Sequence, residues 1–322
     1  MGADGRVQGS TLWVIEATDL TRRFDRVVAV DRLNLKVARG EIFGLIGPDG
    51  AGKTTVIRLL AAVMRPTSGE VRVLGYDVRR HAEHLRHRVG YMPQKFSLYG
   101  DLTVVENLDF FADVYGVRGP RRRRRTDELL GFVRLAEYRQ RRAAALSGGM
   151  QKKLALACSL VHEPEVIFLD EPTTGVDPIS RREFWDILAS LHVQGVTVFI
   201  NTPYMDEAER CSRVGLMYEG QLIECDTPEA LRRRVPGELL AVWTPHLVAA
   251  RQAVAALPGV LETQTYGDML HVFVDDAARM APLVEAVLAT AGIAVIDVRR
   301  TTPRVEEAFI SLIRARRVAQ HA

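Results

Sequence analysis

Residues 47–55 read G-P-D-G-A-G-K-T-T: Gly47, Pro48, Asp49, Gly50, Ala51, Gly52, Lys53, Thr54 and Thr55. Gly47, Gly52, Lys53 and Thr54 satisfy the pattern G-x-x-x-x-G-K-[ST] of a loop that cradles phosphate. The flanks decide the fold. E-I-F-G-L-I at 41–46 is an apolar run of strand length, and V-I-R-L-L-A-A-V at 56–63 repeats its apolar residues at helical spacing. A strand, a glycine-rich turn and a helix in that order predict an α/β fold. Gly50 and Gly52 permit a tight turn whose N–H groups converge on one anion beside a helix N-terminus. Lys53 is then placed to reach terminal phosphates, and the Thr54 hydroxyl to bind magnesium. An ordinary glycine-rich turn requires no Lys-Thr pair after its last glycine, so the loop reads as a phosphate site.

The chain has 322 residues, which suits two domains of about 230 and about 85 residues. Hydrophobic residues make up 47%, ample for two cores, and 43 basic against 40 acidic residues leave a formal charge of only +3. Bulk charge therefore does not suggest a nucleic-acid partner. Residues 1–11 carry Asp4 and Arg6 but no apolar core, so no signal peptide is expected there. No uncharged apolar run approaches the roughly 20 residues that span a bilayer. Cys158, Cys211 and Cys225 are scattered without metal-ligand spacing and read as reduced thiols of a cytoplasmic protein.

Ahead of the loop, residues 12–18 and L-N-L-K-V at 33–37 read as strands. Phe24 between them either stacks on an adenine or lies in the core beneath the strands; the residues alone leave both open. Beyond the loop helix, S-G-E-V-R-V-L-G at 68–75 is a turn and a strand, and V-G-Y-M-P-Q at 89–94 is a short strand that Pro93 keeps from becoming helix. Gln94 at its end is free to offer an amide oxygen to a metal or its water. Thr103 and Glu106 form a capping box for a helix whose apolar face is Val104, Leu108, Phe111 and Tyr115. Arg118 and the run Arg121 to Arg125 follow. They read first as a solvated helix start, and second as a patch for anionic lipid headgroups.

L-S-G-G-M-Q at 146–151 opens another helix, with Ser147 as its cap and Gly148 and Gly149 leaving N–H groups bare for an anion. V-I-F-L-D-E-P then gives a buried strand ending in Asp170 and Glu171. Two carboxylates at the C-terminal end of such a strand lie where open α/β sheets bind ligands. Asp170 is placed to hold magnesium through water and Glu171 to polarise an attacking water. T-T-G-V-D-P at 173–178 is a turn before a helix starting near Ile179; G-V-T-V-F-I at 195–200 is a further strand, and the segments around Glu219-Gly220 form a hairpin.

Taken together, the phosphate loop, Gln94, L-S-G-G-M-Q, L-D-E-P and G-V-D-P, in this order and spacing, resemble the ATPase subunit of an ATP-binding cassette transporter over about residues 12–235. The resemblance implies a P-loop ATPase with a mixed core sheet, an N-terminal antiparallel sheet and an inserted helical subdomain at about 95–160, within a cassette domain at 1–236. It implies ATP and Mg2+ as cofactors, and a second cassette, of the same or a different chain, closing head to tail so that its L-S-G-G-M-Q covers the nucleotide. It also implies transmembrane permease subunits as partners, with the chain held peripherally at the cytoplasmic face of the membrane. Phe24 falls to the adenine, Gln94 to the metal and the lid motion, Glu171 and Lys53 to catalysis, and Asp177 to communication across the dimer.

One position departs from that pattern. The family carries a γ-phosphate-contacting histidine after the last core strand, where N-T-P-Y-M-D-E-A-E has Pro203. Proline offers neither a side-chain donor nor an N–H. The expectation is a site that binds ATP and turns it over slowly, while this chain's L-S-G-G-M-Q completes a faster site on its partner.

Residues 237–322 follow the order β-α-β-β-α-β, a ferredoxin-like α+β arrangement. The strands are read at 239–244, 260–266, 269–274 and 293–299, and the helices at 247–257 and 277–291. The closing T-P-R-V-E-E-A-F-I-S-L-I is similar to the C-terminal helix of the drug and antibiotic export branch, and this domain is expected to be accessory or regulatory. Two competing readings remain: a ribosome- or DNA-associated cassette ATPase, and a nucleotide-gated module with negligible turnover. Only about fifty residues separate Gln94 from Leu146, too few for the long coiled coil of repair-type cassettes.

Overall fold

The computed structural model describes residues 13–95 and 98–321. The segment read as lacking a signal peptide, and residue 12 of the first strand, lie outside them. The chain divides into two compact units, one ending at Cys225 and the other beginning at Asp226.

In the first unit β1 (Trp13–Phe24) pairs antiparallel with β2 (Val27–Ala38), in which Leu33, Leu35 and Val37 alternate inward and, across an irregularity in register, Val30 is also buried. The wholly buried β3 (Ile42–Ile46) runs into the loop and α1 (Lys53–Leu60). Next come β4 (Ser68–Val73), β5 (Tyr76–Asp77), the short α2 (Ala82–Arg86) and β6 (Val89–Met92). Three helices, α3 (Val104–Val114), α4 (Gly119–Phe132) and α5 (Gly148–Leu160), are inserted before β7 (Val166–Asp170). The unit closes with α6 (Pro178–Val193), β8 (Thr197–Thr202), α7 (Met205–Ala208), β9 (Arg213–Tyr218) and β10 (Gln221–Asp226).

Two sheets result. An antiparallel one has the order β2-β1-β4-β5, and a six-stranded one has the order β10-β9-β3-β8-β7-β6. Strands β9, β3, β8, β7 and β6 are parallel neighbours, and β10 returns on β9 through Glu219 and Gly220, whose φ values of 48° and 78° suit a two-residue hairpin turn. Residues of both sheets and α1 share one core, including Val30, Leu35, Phe43, Ile57, Phe168 and Phe199.

The capping box is present: Thr103 N–H donates to Glu106 Oε2 at 2.7 Å, and Glu106 N–H to Thr103 Oγ1 at 3.3 Å. The buried face of α3 differs from the apolar reading. Val104 and Leu108 are buried, Phe111 and Tyr115 only partly, and Asn107 occupies the centre. Its amide accepts from Tyr99 N–H and donates to the carbonyls of Tyr99, Leu102 and Thr103, so it fixes the loop before the helix. The arginine run lies on α4, where Arg121 meets Glu163, Arg122 meets Asp113, and Arg124 and Arg125 meet Glu128. That is a charged helix face met by its neighbours.

At the end of α5, buried His162 stacks on Tyr115 with ring centroids 3.8 Å apart, and its Nε2 lies 3.0 Å from Val89 O. Burial pushes its pKa down to about 4. The unfolded chain takes up this proton near pH 6.5 and the folded chain does not, so stability falls as pH drops from about 6.5 to about 4. The loss attributable to this ring approaches about 3 kcal/mol. Urea unfolding of the wild type and of His162→Phe at pH 7.5 and 4.5 checks this: the wild type is expected to lose about 2–3 kcal/mol more than the variant, and equal losses would refute it.

The second unit begins with α8 (Pro228–Arg232), then β11 (Glu238–Trp243), α9 (Leu247–Ala255), β12 (Val260–Tyr266), β13 (Met269–Val274), α10 (Ala277–Thr290), β14 (Asp297–Thr301) and α11 (Val305–His321). Its sheet order is β12-β13-β11-β14 with every pair antiparallel, as a ferredoxin-like arrangement requires. The last strand starts later than the sequence suggests. Ile293 N–H still closes the helix on Leu288 O, and Ile296 N–H reaches Trp243 O, before β14 begins at Asp297. Leu240, Val242, Leu270 and Val272 face α9 and α10. On the alternate face, buried His271 Nδ1 lies 3.0 Å from Glu307 Oε1 of α11, and Tyr266 stacks on the His271 ring. Helix α11 is thus tied to the sheet's second face, which the sequence pattern did not indicate.

Candidate functional site

The site is assembled where β3, β7 and β8 end together. The loop after β3 needs glycine twice for steric reasons. A Cβ on Gly52, at φ 98°, would fall 2.1 Å from Ala29 O, and one on Gly47 would fall 2.1 Å from Met217 O. Any larger residue there displaces backbone. Pro48, Asp49 and Gly50 are exposed, Ala51 is buried and Thr55 half-buried, and Gly52 caps α1 in the left-handed conformation. Buried Lys53 folds back so that Nζ donates to Pro48 O at 2.9 Å. Burial pulls its pKa below the ordinary lysine value, against the pull of Glu171, Asp49 and Asp170.

Strand β7 delivers the carboxylates. Asp170 is fully buried, and its Oδ1 accepts from Thr54 Oγ1 at 3.0 Å and from Asn201 Nδ2 at 2.5 Å. Its Oδ2 is buried with no hydrogen-bond partner. Glu171 follows with φ 48°, a left-handed conformation that costs a non-glycine residue roughly 1–2 kcal/mol and ends the strand. Its Oε2 accepts from Gln94 Nε2 at 2.7 Å and from Thr174 Oγ1 at 3.2 Å. The loop, Thr54, Asp170, Glu171 and Gln94 are therefore brought together, with Gln94 on Glu171 rather than on the Thr54–Asp170 pair. The donor set suits magnesium: hydroxyl and carboxylate oxygens, one of them buried and unsatisfied. Among the described residues no cluster of three or more His, Cys, Asp or Glu is placed to cage a metal, and magnesium needs no such cage when phosphates share it.

Ser147 caps α5 as the sequence predicts, its Oγ accepting from Met150 N–H at 3.3 Å. Gly148 is exposed beside it. Gly149 corrects the expectation of a bare amide: it is buried, and a Cβ there would lie 2.5 Å from Ser180 Cβ, so its smallness serves the contact between α5 and α6. Asp177 caps α6, accepting from Ser180 N–H at 2.9 Å, and these hydrogen bonds hold its carboxyl below the usual range. A cleft of about 330 Å³ is lined by Gln94, Gly148, Lys152 and Thr174. Lys152 Nζ donates across it to Gln94 O at 3.2 Å, joining α5 to the segment after β6. Phe24 is 39% exposed, with the Arg22 guanidinium 4.5 Å over its ring, which removes the core alternative.

Sequence reasoning missed Asn201 and Glu207. Glu207 is buried and accepts from Thr173 Oγ1 at 2.8 Å and Thr202 Oγ1 at 2.7 Å, joining the segment after Glu171 to the end of β8. The available signal was a polar residue ending an apolar strand, N-T after V-F-I.

The sequence model of the ABC transporter family matches residues 30–174. The daunorubicin resistance ATP-binding protein DrrA3 of Streptomyces coeruleorubidus is 38% identical over 294 residues, covering 90% of this chain and 93% of that protein. The probable multidrug ABC transporter ATP-binding protein YbhF of Escherichia coli is 48% identical over 219 residues, 68% of this chain and only 38% of that longer protein. Among solved structures, the dimeric ATP-binding cassette MJ0796, in a post-hydrolysis state bound to ADP and Pi, superposes with a TM-score of 0.61 at 25% identity, covering 66% of this chain and 98% of its own. Among the described residues, no helix is long and apolar enough to cross a membrane. On the loop, the carboxylate pair, the capped glycine helix and these relatives, the chain belongs to the ATP-binding protein family of ABC transporters.

Proposed function

We propose that this chain binds and hydrolyses ATP to power export through separate transmembrane permease subunits, working at the cytoplasmic face of the membrane beside a second cassette. The observation that carries the reading is the meeting of Lys53 and Thr54, at the start of α1, with Asp170 and Glu171, at the end of β7: Thr54 Oγ1 is 3.0 Å from Asp170 Oδ1. The amides of residues 49–55 and the Lys53 ammonium bind the phosphates. Thr54, Asp170 and the amide oxygen of Gln94, whose Nε2 donates to Glu171, would hold magnesium, and the ion would draw negative charge from the phosphate oxygens. Glu171 takes the proton of the attacking water. Phe24 faces the adenine; Ser147 and Gly148 close on the partner's nucleotide, with Gly149 packed behind them against α6, and Asp177 lies at the junction between cassettes. The second unit is accessory to assembly or coupling. The likeness to daunorubicin and multidrug transporter proteins supports export.

Titration of the purified chain with a fluorescent ATP analogue and magnesium tests this. Lys53→Ala is expected to weaken binding more than about tenfold, since a charge-assisted contact to phosphate contributes about 1.5–3 kcal/mol. A wild-type chain that binds no ATP would overturn the reading.

A further inference from the structure

Asn201 stands directly opposite Asp170 in the parallel register of β7 and β8, and it is fully buried. It follows the apolar, buried Val198, Phe199 and Ile200 and, with Thr202, makes the strand end polar. A carboxylate accepts hydrogen bonds and does not donate them, so the amide nitrogen must be the group that faces Asp170. Nδ2 donates to Asp170 Oδ1 at 2.5 Å and lies 3.5 Å from Thr54 Oγ1. The backbones are joined as well, Glu171 N–H donating to Asn201 O at 2.9 Å.

Two oxygens remain. Asp170 Oδ2 and Asn201 Oδ1 are both buried with no partner. A dry unsatisfied acceptor is costly, and the two belong to side chains hydrogen-bonded to each other. Each asks for a hydrogen-bond donor, and the ligand is the source of one. Water bound to magnesium is such a donor: the ion is held by few protein oxygens and keeps several waters.

Resting on the proposed nucleotide site, we infer that Asn201 is a positioning residue for magnesium. Its Nδ2 fixes the rotation of the Asp170 carboxylate, and its Oδ1 serves beside Asp170 Oδ2 as a second acceptor for metal-bound water. Outer partners of this kind typically govern metal affinity by ten- to a hundredfold.

The test is binding of a fluorescent ATP analogue to the full chain, titrated with magnesium and repeated in EDTA, for the wild type, Asn201→Ala and Asn201→Thr. In Asn201→Ala the magnesium concentration for half-maximal enhancement should rise about ten- to a hundredfold, while affinity in EDTA stays within about twofold. Asn201→Thr, whose hydroxyl both donates and accepts, should recover part of the loss. An Asn201→Ala chain with the wild-type magnesium dependence overturns the inference. So does equal weakening with and without metal, which would make Asn201 a residue of the fold alone. A wild type that binds no nucleotide in either condition defeats the parent reading instead, and the two failures are told apart by that control.

Discussion

Replacing Pro203 with histidine is expected to raise ATP turnover by about two to three orders of magnitude. Pro203 follows directly on β8, two residues past Asn201, and so lies beside the strand end that carries the Thr54–Asp170–Asn201 group. Proline there supplies no donor for charge that builds on the transferred phosphoryl group, whereas a single well-placed donor of this kind contributes about a hundred- to a thousandfold. The backbone tolerates the change. Tyr204 N–H is held by Thr202 Oγ1 at 3.1 Å, and Thr202 Oγ1 in turn donates to Glu207 Oε2, so the turn does not depend on the pyrrolidine ring. Phosphate release by the purified chain at saturating ATP and magnesium measures the effect. Equal, brisk rates in the wild type and Pro203→His would remove the idea of a slow site.

In that faster background, Glu171→Gln is expected to lower turnover about a hundred- to ten-thousandfold while ATP binding is kept. Both contacts that steady Glu171, from Gln94 and Thr174, fall on Oε2, which leaves Oε1 for a water. Glutamine preserves the shape and an acceptor oxygen but removes the base. An ATP-dependent dimer should then accumulate on size-exclusion chromatography, because the bound nucleotide is no longer cleared. The two substitutions touch one reaction, so their effects are not additive: Glu171→Gln should erase the gain made by Pro203→His. A double variant as fast as Pro203→His alone would exclude Glu171 as the base.

The parts of this fold that were legible in the sequence are those fixed by local chemistry. The strand–loop–helix at 41–63, the Thr103–Glu106 capping box and the Glu219–Gly220 turn each depend on residues within a few positions of one another. What escaped depends on distant partners. Asn201 is a few letters of unremarkable strand until β8 is set beside β7, when its partners prove to be Asp170, 31 residues away, and Thr54, 147 residues away. Asn107 was not read as part of the buried face of α3, because its four bonds go to loop backbone, which periodicity does not register. Phe24 was ambiguous for a related reason: alternation gives two faces of a strand, and only the assembled sheet says which one is covered.

The contact of Gly149 with Ser180 bears on how movement passes through the first unit. Where α5 and α6 touch, no side chain on the glycine separates them, so there is no compressible layer to absorb a displacement. The contact therefore couples the serine-capped start of α5 directly to the aspartate-capped start of α6, so that neither can shift without moving the other. It also limits which sequences can carry that coupling, because space for a methyl group at position 149 exists only if position 180 surrenders its own.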